Sequence, residues 1–546
     1  MGKIGIAMDL GTSGFRGQAI DLGRGNEIIS TAITTRHPLP GGNVMDHLHF
    51  SVEMGVEVSQ QIIVSAVNRV IESLRIPTKD IVRLAVCGNP IQLSLFHGIE
   101  IRDLAYAGKR KLESLGVVPP KRDAKILKAE EIEGLKIPSG AEVIIPPAIE
   151  HEVGADALAM MVKSGMLERD EVAITTDYGT NAEMALMVQG NILTGSTAAG
   201  PALEGQQIEY GLLAAPGAIS DIDRDDHGYR CIILDEDMLP QAGDTVDVET
   251  GSLLSSGTRR AEGITGTGVI ALVSIGMEEG IIRLPRIETI DTELHLSNGI
   301  KFSEKDLLEA GKAIGAVRAG HVTLCQEARI EMEEITSAYM SGASGTYVDA
   351  IKAQKIGLIP AGVKRIYQVG NTSLAMARDM VTDVNKVWGL QDIAKKLRQT
   401  HCMFAASKVF EKVYILELSY WTEGMPWEQY VAFLKRYGFP SLQRVKGHPE
   451  VIKTVQRDIP DLGRLGLKII PDIGEVRSVF FEGCRGDQLC VRECPETALS
   501  IQQEDGKFKI SIDVSKCLGM ACRRCERVCP QAGFDITKLF YYRPQG

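Results

Sequence analysis

The sequence predicts an α/β protein with two similar lobes, followed by a small α+β domain rich in cysteine. Three observations support this prediction. A strand–glycine turn–strand unit occurs twice, strand and helix patterns alternate around both copies, and seven of the eleven cysteines lie between Cys484 and Cys529. The 546 residues suffice for about three or four domains with buried cores. We expect lobes at residues 1–170 and 171–385, a connecting region at 386–470 packed on them, and the cysteine-rich domain at 471–546.

The repeated unit begins with a short apolar strand that ends in aspartate. Residues 3–8 read as a strand that leads into Asp9 and a glycine-rich turn, and a second strand resumes at residues 17–21. Residues 172–188 repeat this plan around Asp177. Two copies of one turn in one chain indicate an internal repeat.

The composition of these turns fits phosphate binding. Glycine lets backbone N–H groups approach phosphate oxygens, hydroxyls add donors, and an aspartate can hold Mg²⁺ directly or through water. Asp9 and Asp177 are therefore candidate carboxylates for Mg²⁺ or for positioning water. The alternative is two ordinary hairpins with glycine turns. The candidate phosphate donors are Gly11, Thr12, Ser13, Gly179, Thr180 and Asn181.

Apolar periodicity predicts the packing elements between and after the turns. Residues 54–74 and 152–162 have helical patterns, and residues 82–87 and 142–145 read as buried strands. Ser303 is a plausible N-cap for a helix at residues 304–322. Lys312 and Arg318 on that helix could reach a nucleotide, but we expect both to face solvent.

Aromatic residues cluster in the predicted connecting region. Such a cluster could form a docking surface for a partner, but we expect it to be core, since aromatic side chains at this density are usually buried. The ten histidines are scattered, and we assign them no chemistry. The aromatic residues in question are Tyr420, Trp421, Trp427, Tyr430 and Phe433.

The cysteine-rich stretch consists of two runs that each end in Cys-Pro. The first run contains three cysteines, with Asp487 where a second ligand would stand, and the second run contains four. This doubled C-x3-C-P pattern favours iron–sulfur clusters over zinc or disulfides. The first run is Cys484, Asp487, Cys490 and Cys494, and the second is Cys517, Cys522, Cys525 and Cys529.

In two-cluster ferredoxins the fourth cysteine of each run binds the other cluster. Crossing the ligands in this way predicts two groups. The first group contains Cys484, Cys490 and Cys529 with Asp487 as a fourth candidate ligand, and the second contains Cys517, Cys522, Cys525 and Cys494. We therefore expect two [4Fe–4S] clusters, the first either ligated by aspartate or reduced to [3Fe–4S].

Composition limits the partners and the compartment. The formal charge of −11 and the lack of a basic run argue against nucleic acid. The longest apolar stretch is too short to cross a bilayer, and a strand-like pattern begins too early for a signal peptide. We expect a cytoplasmic protein without membrane insertion, and the thiolate clusters suggest an anaerobe.

The duplicated Asp-x-Gly-Thr turns resemble the phosphate motifs of the acetate and sugar kinase/Hsp70/actin superfamily, in which two lobes close over ATP. Segments 195–205, 263–268 and 357–360 narrow the resemblance to the ATPase domain of the reductive activators of corrinoid proteins. The C-terminal position of the two-cluster domain is similar to the archaeal activators that serve methylamine methyltransferases. The resemblance covers roughly residues 1–385. Residues 369–375 stand where proteins of the superfamily have the glycine turn that contacts adenosine.

The resemblance implies an ATP-hydrolysing oxidoreductase that reduces Co(II) to Co(I) in a corrinoid protein of a methyltransferase system, with ATP and Mg²⁺ as cofactors and a low-potential donor such as a ferredoxin. Glu183 and Glu204 could orient the attacking water, although a solvated or salt-bridged glutamate is the commoner case. Arg16 could neutralise developing charge. Further nucleotide contacts are expected at Gly266, Gly268, Gly370 and Asn371.

Two other functions are compatible with the same motifs. One is an ATP-dependent electron activator of a radical dehydratase or aromatic-ring reductase, although such proteins share one cluster between two subunits through few cysteines. The other is a small-molecule kinase or nucleotide sensor of the same superfamily, whose clusters only report redox state.

Overall fold

The computed structural model describes residues 2–106, 108–150, 153–179, 181–197, 207–225, 228–445, 447–531 and 534–541, with the side chain of Ala343 left out. Backbone contacts divide the chain into two compact units. Unit 1 comprises Met1–Pro147, Ala377–Val387 and Leu462–Gly546, and unit 2 comprises Ala148–Met376 and Trp388–Asp461. Among the described residues, no helix is both long and apolar enough to cross a membrane.

Unit 1 contains a seven-stranded mixed sheet and the cysteine-rich domain. Elements are numbered along the whole chain. The strands of this unit are β1 Ile4–Leu10, β2 Phe15–Asp21, β3 Glu27–Thr34, β4 Ile81–Gly88, β5 Lys125–Lys128, β6 Glu142–Ile145, β22 Leu467–Ile470, β23 Val476–Phe480, β24 Leu499–Glu504 and β25 Lys507–Asp513. Its helices are α1 Val44–Met54, α2 Val56–Ser73, α3 Pro90–His97, α4 Arg102–Ala105, α5 Lys109–Ser114, α15 Leu489–Arg492, α16 Arg524–Val528 and α17 Ile536–Tyr541.

The large sheet of unit 1 has the order β22-β3-β2-β1-β4-β6-β5. Strand β1 is buried along its whole length, as expected for an apolar run in the middle of a sheet. Strand β22 comes from the far end of the chain and pairs in parallel with β3. The cysteine-rich domain follows β22 directly, and its three strands form a separate antiparallel sheet in the order β23-β25-β24.

Unit 2 contains a six-stranded sheet in the order β21-β20-β19-β7-β8-β9 and a five-stranded sheet in the order β13-β12-β11-β10-β14. Its strands are β7 Ala173–Tyr178, β8 Ala182–Val188, β9 Asn191–Thr197, β10 Ala218–Arg224, β11 Tyr229–Leu234, β12 Pro240–Val246, β13 Leu253–Ser255, β14 Gly263–Ile264, β15 Ile282–Arg283, β16 Arg286–Ile287, β17 Glu293–His295, β18 Lys301–Ser303, β19 Ser337–Ser341, β20 Arg365–Gln368 and β21 Glu450–Lys453. Its helices are α6 Ala155–Lys163, α7 Gly266–Glu279, α8 Glu304–Ala328, α9 Gly342–Tyr347, α10 Ala350–Lys355, α13 Lys408–Glu423 and α14 Trp427–Tyr437. Helices α11 Thr372–Thr382 and α12 Lys386–Leu397 contain residues of both units.

The predicted internal repeat is larger in the structure than the two hairpins seen in the sequence. Strands β1, β2 and β3 form an antiparallel meander, and β7, β8 and β9 form a second one. A parallel strand follows on the other side in each case, β4 beside β1 and β19 beside β7. The shared strand arrangement is therefore β3-β2-β1-β4 in unit 1 and β9-β8-β7-β19 in unit 2.

The helices expected from periodicity are present with shifted ends. The predicted helix at residues 54–74 corresponds to α2. Gly55, with a φ of 91°, ends α1 and separates it from α2. Ser303 caps α8 through a capping box with Asp306, as predicted, and the helix continues six residues beyond the expected end to Ala328. The predicted helix at 152–162 begins at Ala155 in the described residues.

The expectation that Arg318 faces solvent is wrong. Its side chain is buried in unit 2 and forms an ion pair with Glu417, with 3.0 Å between Nε and Oε1. The rings of Tyr420, Trp421, Trp427 and Tyr430 surround the guanidinium at 5.2–5.8 Å. Lys312 is exposed and pairs with Glu309, as expected for the solvent side of the helix.

The aromatic cluster of residues 420–433 belongs to the core of unit 2. Trp421 and Tyr430 are fully buried, and the other three aromatic residues pack against the same core. Glycine makes this packing possible, because a Cβ at Gly311 would lie 2.8 Å from the Cβ of Trp421. The prediction of core rather than a docking surface is confirmed.

Candidate functional site

The first phosphate-turn candidate lies between β1 and β2. Asp9 is buried at the end of β1, directly opposite Arg16 in the β1–β2 register. The closest approach between the Arg16 guanidinium and the Asp9 carboxylate is 3.8 Å, so Arg16 already offsets a negative charge within its own turn. A Cβ at Gly11 would lie 2.9 Å from the carbonyl oxygen of Gly14, which explains the glycine at this tight turn.

A third strand end reaches this turn. Asn89 caps α3, and its side-chain Nδ2 donates a hydrogen bond of 3.0 Å to the Thr12 hydroxyl. Gly88, just before it, has a φ of 156° and approaches the backbone of Leu10 so closely that a Cβ would lie 2.6 Å from its carbonyl oxygen. The end of β4 therefore supports the turn.

The second turn repeats this geometry in unit 2. Asp177 lies opposite Glu183 in the β7–β8 register, at the position where Asp9 faces Arg16. Glu183 is buried. Gly342 follows β19 with a φ of 80°, and a Cβ there would clash with Asp177 Oδ1. Thr180 and Glu204, two of the predicted site residues, lie outside the described residues.

Gly370 and Asn371 come close to the Asp177 turn through Gly342. The Gly342 amide donates to the Gly370 carbonyl at 3.1 Å. The Asn371 side chain accepts from the Leu374 amide at 2.7 Å and so caps the start of α11. Asp177, Gly342, Gly370 and Asn371 therefore form one connected group around a helix N-terminus, a setting suited to anions.

Gly268 has a packing role that its motif did not predict, and Gly266 lies beside it. Both are buried in the first turn of α7, which Thr265 caps. A Cβ at Gly268 would lie 2.6 Å from the carbonyl oxygen of Ile219 in β10. Gly268 therefore lets α7 pack closely on the five-stranded sheet, and a role of either glycine in nucleotide binding stays a prediction.

Sequence reasoning missed Asn89 and Gly342. Each follows the strand that lies parallel to the aspartate-bearing strand, so neither is near its aspartate in the chain. The sequence does show a glycine after a buried apolar strand, in Cys87-Gly88-Asn89-Pro90. Only the pairing of β1 with β4 shows that this glycine lies beside the Asp9 turn. For Gly342 the comparable signal was the buried strand ending in Ser341-Gly342.

The first cysteine group gathers around Cys490. Burial raises the pKa of this thiol to about 11, and the thiols of Cys484 and Cys529 and the carboxyl of Asp487 act in the same direction. These are the residues that ligand crossing assigned to one group. Asp487 itself is exposed, and its Oδ1 accepts a hydrogen bond of 3.1 Å from the Leu489 amide.

The second cysteine group lines one cavity. Cys494, Cys517, Cys522 and Cys525 all border it, with Leu499, Ile512 and Ile536 among its apolar neighbours. Burial raises the pKa of Cys517 and of Cys525 to about 12, and Cys494 contributes to both shifts. The Cys494 sulfur also accepts a hydrogen bond of 3.2 Å from the Ala498 amide.

The two runs have matching local structure. A short helix starts just before Cys490 in the first run and just before Cys525 in the second. Each is preceded by a non-glycine residue with positive φ, Gln488 at 59° and Arg523 at 40°. Asp487 therefore stands where the second run has Cys522.

These features define a class: an ASKHA-type α/β protein that carries a 4Fe–4S dicluster domain. Residues 4–169 match the family model described as the RACo middle region, residues 171–431 match the C-terminal domain of RACo, the ASKHA domain, and residues 482–532 match the 4Fe-4S dicluster domain. The chain is 49% identical over 536 residues to the "Co(II) methylated amine-specific corrinoid protein reductase" of Methanosarcina barkeri, covering 98% of this chain and 99% of that protein. It belongs to the family of that reductase.

A more distant relative and a solved structure are also similar to this chain. The "Corrinoid activation enzyme RamQ" of Eubacterium limosum is 26% identical over 369 residues, which cover 65% of this chain and 60% of that protein. The solved structure of a "Reductive activator for corrinoid,iron-sulfur protein" superimposes with a TM-score of 0.61 at 23% identity, covering 76% of this chain and 66% of that one. The second likeness is one of fold.

Proposed function

We propose that this protein reduces Co(II) to Co(I) in a corrinoid protein, in an ATP-dependent reaction that supports methyl transfer from methylated amines. The observation that carries the proposal is the 49% identity along 98% of the chain to a reductase of such a corrinoid protein. The two cysteine groups and the two aspartate turns supply the parts that such a reaction needs.

The cysteine groups fit iron–sulfur clusters. Four thiols line a single cavity in the second group, and Cys490 lies beside two further thiols and a carboxyl in the first. Cys494, Cys517, Cys522 and Cys525 would hold one cluster, and Cys484, Cys490 and Cys529 with Asp487 would hold the other. When bound, such clusters supply one-electron carriers whose potentials depend on ligands, burial and hydrogen bonds to sulfur.

The aspartate turns fit a Mg²⁺–nucleotide. Asp9 and Asp177 each lie next to the last residue of a mostly buried strand, and each is close to a glycine in a tightly packed backbone. Phosphoryl transfer to water needs mainly positioning and charge neutralisation, and in unit 1 Arg16, Thr12 and the backbone amides of the Asp9 turn would supply them. Glu183, opposite Asp177, would orient water in this proposal, whereas Glu204 lies outside the described residues.

ATP has a physical purpose in this proposal. Reduction of a Co(II) corrinoid lies below the reach of ordinary low-potential ferredoxins, so the electron must move uphill. ATP binding can shift a conformational equilibrium by its differential affinity for two states, and hydrolysis resets it. We propose that a low-potential donor such as a ferredoxin supplies the electron in the cytoplasm.

The test is an anaerobic assay with reconstituted protein, a Co(II) corrinoid protein, a chemical reductant and Mg-ATP. We expect Co(I), followed by its absorption, to appear only with hydrolysable ATP. Formation of Co(I) with a non-hydrolysable analogue, or no Co(I) at all, would contradict the proposal. ATP hydrolysis without any dependence on the corrinoid protein would favour the kinase or sensor.

Asp177→Asn gives the sharpest variant for the nucleotide site. Loss of the charge should slow ATP hydrolysis and Co(I) formation together by about a hundredfold, the usual effect of removing one electrostatic group from an active site. Iron content should stay unchanged. Asp237→Asn is the matched control, because Asp237 is an exposed residue of the same unit and should leave both rates as they are.

A further inference from the structure

Residues 37–43, here called the strap, connect the sheet of unit 1 to the second cysteine group. The Gly41 amide donates a hydrogen bond of 2.8 Å to the carbonyl oxygen of Cys517. Gly519, two residues further on, has a φ of 86°, and a Cβ there would lie 3.7 Å from Gly41. Gly41 has a φ of 104°, and a Cβ would collide with Asp46, so the strap is closely fitted at this point.

The strap is held by a buried pair of histidines. The rings of His37 and His47 stack with 3.9 Å between their centroids. Gln92 of α3 bridges them: its Oε1 lies 3.0 Å from His37 Nε2, and its Nε2 lies 2.9 Å from His47 Nδ1. The backbone of Gly41 also interacts with the His47 ring. Gln92 and His47 are fully buried, so water does not compete for the hydrogen bonds between them.

The direction of these hydrogen bonds is fixed. Burial lowers the pKa of His37 well below its usual range and that of His47 to about 3, so both rings are neutral with one N–H each. The Leu39 amide donates to His37 Nδ1 at 3.1 Å, which leaves the ring proton on Nε2 to donate to Gln92 Oε1. The Gln92 amide then donates to His47 Nδ1. Reversing one bond would disrupt the others.

The other end of this chain of contacts is the Asp9 turn. Asn89 caps α3 by accepting from the Gln92 amide at 3.0 Å, and it donates to the Thr12 hydroxyl at 3.0 Å. Phe15, the first residue after the turn, places its ring edge on His37 with 5.2 Å between centroids. Two routes of contact therefore lead from the turn to the histidine pair.

We propose that Gln92 is a positioning residue that transmits the nucleotide state of the Asp9 turn through the His37–His47 pair and Gly41 to the Cys517 loop. The inference rests on the proposed function, because it assumes that a nucleotide binds this turn. When the Thr12 hydroxyl turns to a phosphate, its contact with Asn89 changes, and α3 carries the change to the strap. Close-packed contacts transmit small shifts of this kind.

The test is hydrogen–deuterium exchange of the holoprotein with and without Mg²⁺ and a non-hydrolysable ATP analogue. In the wild type we expect exchange of residues 514–522 to change by about fivefold or more, the lower end of ordinary coupling between sites. Gln92→Met should abolish this response while iron content and ATP hydrolysis stay close to wild type. Gln92→Glu should restore it, because a carboxyl kept neutral by burial can both accept and donate.

Two further variants make the result decisive. Asn89→Ser keeps a good helix cap but is too short to reach Thr12, so it should also abolish the response. Glu53→Gln removes a different contact between α1 and the cysteine-rich domain, the ion pair with Arg523, and should leave the response intact. No nucleotide response in the wild type, or a full response in Gln92→Met, would overturn the inference. The exchange experiment needs no corrinoid protein, so failure of the proposed reduction would show separately in the Co(I) assay.

Discussion

The two cysteine groups arise from nearly the same local structure but differ in ligands and surroundings. The second group has four thiols around one cavity, and its Cys517 carbonyl accepts a hydrogen bond from the strap. The first has three thiols, and the fourth position is held by Asp487, whose side chain is exposed. The comparison contrasts a group that the strap ties to the sheet of unit 1 with a group that has an exposed carboxylate at its fourth position.

This difference would affect iron–sulfur clusters bound by the two groups. Solvent exposure and a carboxylate ligand tune an iron–sulfur centre differently from four thiolates. Three predictions test the comparison, starting with the largest effect.

Cys522→Ser should remove the cluster of the second group and reduce Co(I) formation by more than about a hundredfold, because loss of a ligand exceeds the 10–100-fold cost of losing an outer contact. Iron analysis and the Co(I) assay measure the result. Cys402→Ser is the control, since Cys402 is a partly buried cysteine of unit 2. Equal Co(I) formation in both variants would show that the second group takes no part in the reaction.

Asp487→Cys should make the first group resemble the second. With four thiolates the group should hold a stable four-iron cluster with a changed EPR signal, whereas Asp487→Asn should weaken binding of one iron and favour a three-iron signal. Iron and sulfide analysis with EPR checks both. Identical spectra in all three proteins would show that residue 487 is not a ligand.

The third prediction concerns pH and the strap. The pKa of His47 in the folded protein is about 3, below the ordinary value of 6.5, so the unfolded chain binds more protons as the pH falls. The neutral ring therefore makes its full contribution to the free energy of unfolding above pH 6.5. Below that pH the contribution falls by about 1.4 kcal/mol per pH unit for each such ring. His37 behaves in the same direction.

Exchange protection measured at pH 7.5 and pH 5.5 should therefore fall more at residues 514–522 than at residues 484–494. His47→Gln, which keeps a polar group but cannot titrate, should flatten this dependence. Equal loss of protection in both segments would contradict the distinction between the two groups.

Local signals in the sequence were enough for much of the fold. The capping box at Ser303 gave the start of α8, and the apolar run at 142–145 matches β6 residue for residue. The duplicated aspartate turns revealed the internal repeat. Each of these depends on residues a few positions apart, and such patterns are visible in a single chain.

Features that depend on distant partners could not be read in this way. Arg318 is buried because it pairs with Glu417 and packs among four aromatic rings. These partners are about 100 residues away in the sequence, so the pattern around residue 318 does not indicate them. Likewise His37 and His47 gave no metal-binding or catalytic pattern. Their structural role follows from their hydrogen bonds to Gln92 and from the contact of the strap with the Cys517 loop. The strand β22 was missed because four residues far from β3 carry little periodicity.

The connection between β22 and the cysteine-rich domain is short and firmly held. Arg69 donates hydrogen bonds to the carbonyl oxygens of Asp472, Ile473 and Gly474, so the connecting segment is clamped to α2. These hydrogen bonds oppose movement of the domain about this connection. A partner in electron transfer would then have to approach the cysteine groups where they lie, and lengthening the β22 connection should change the rate little.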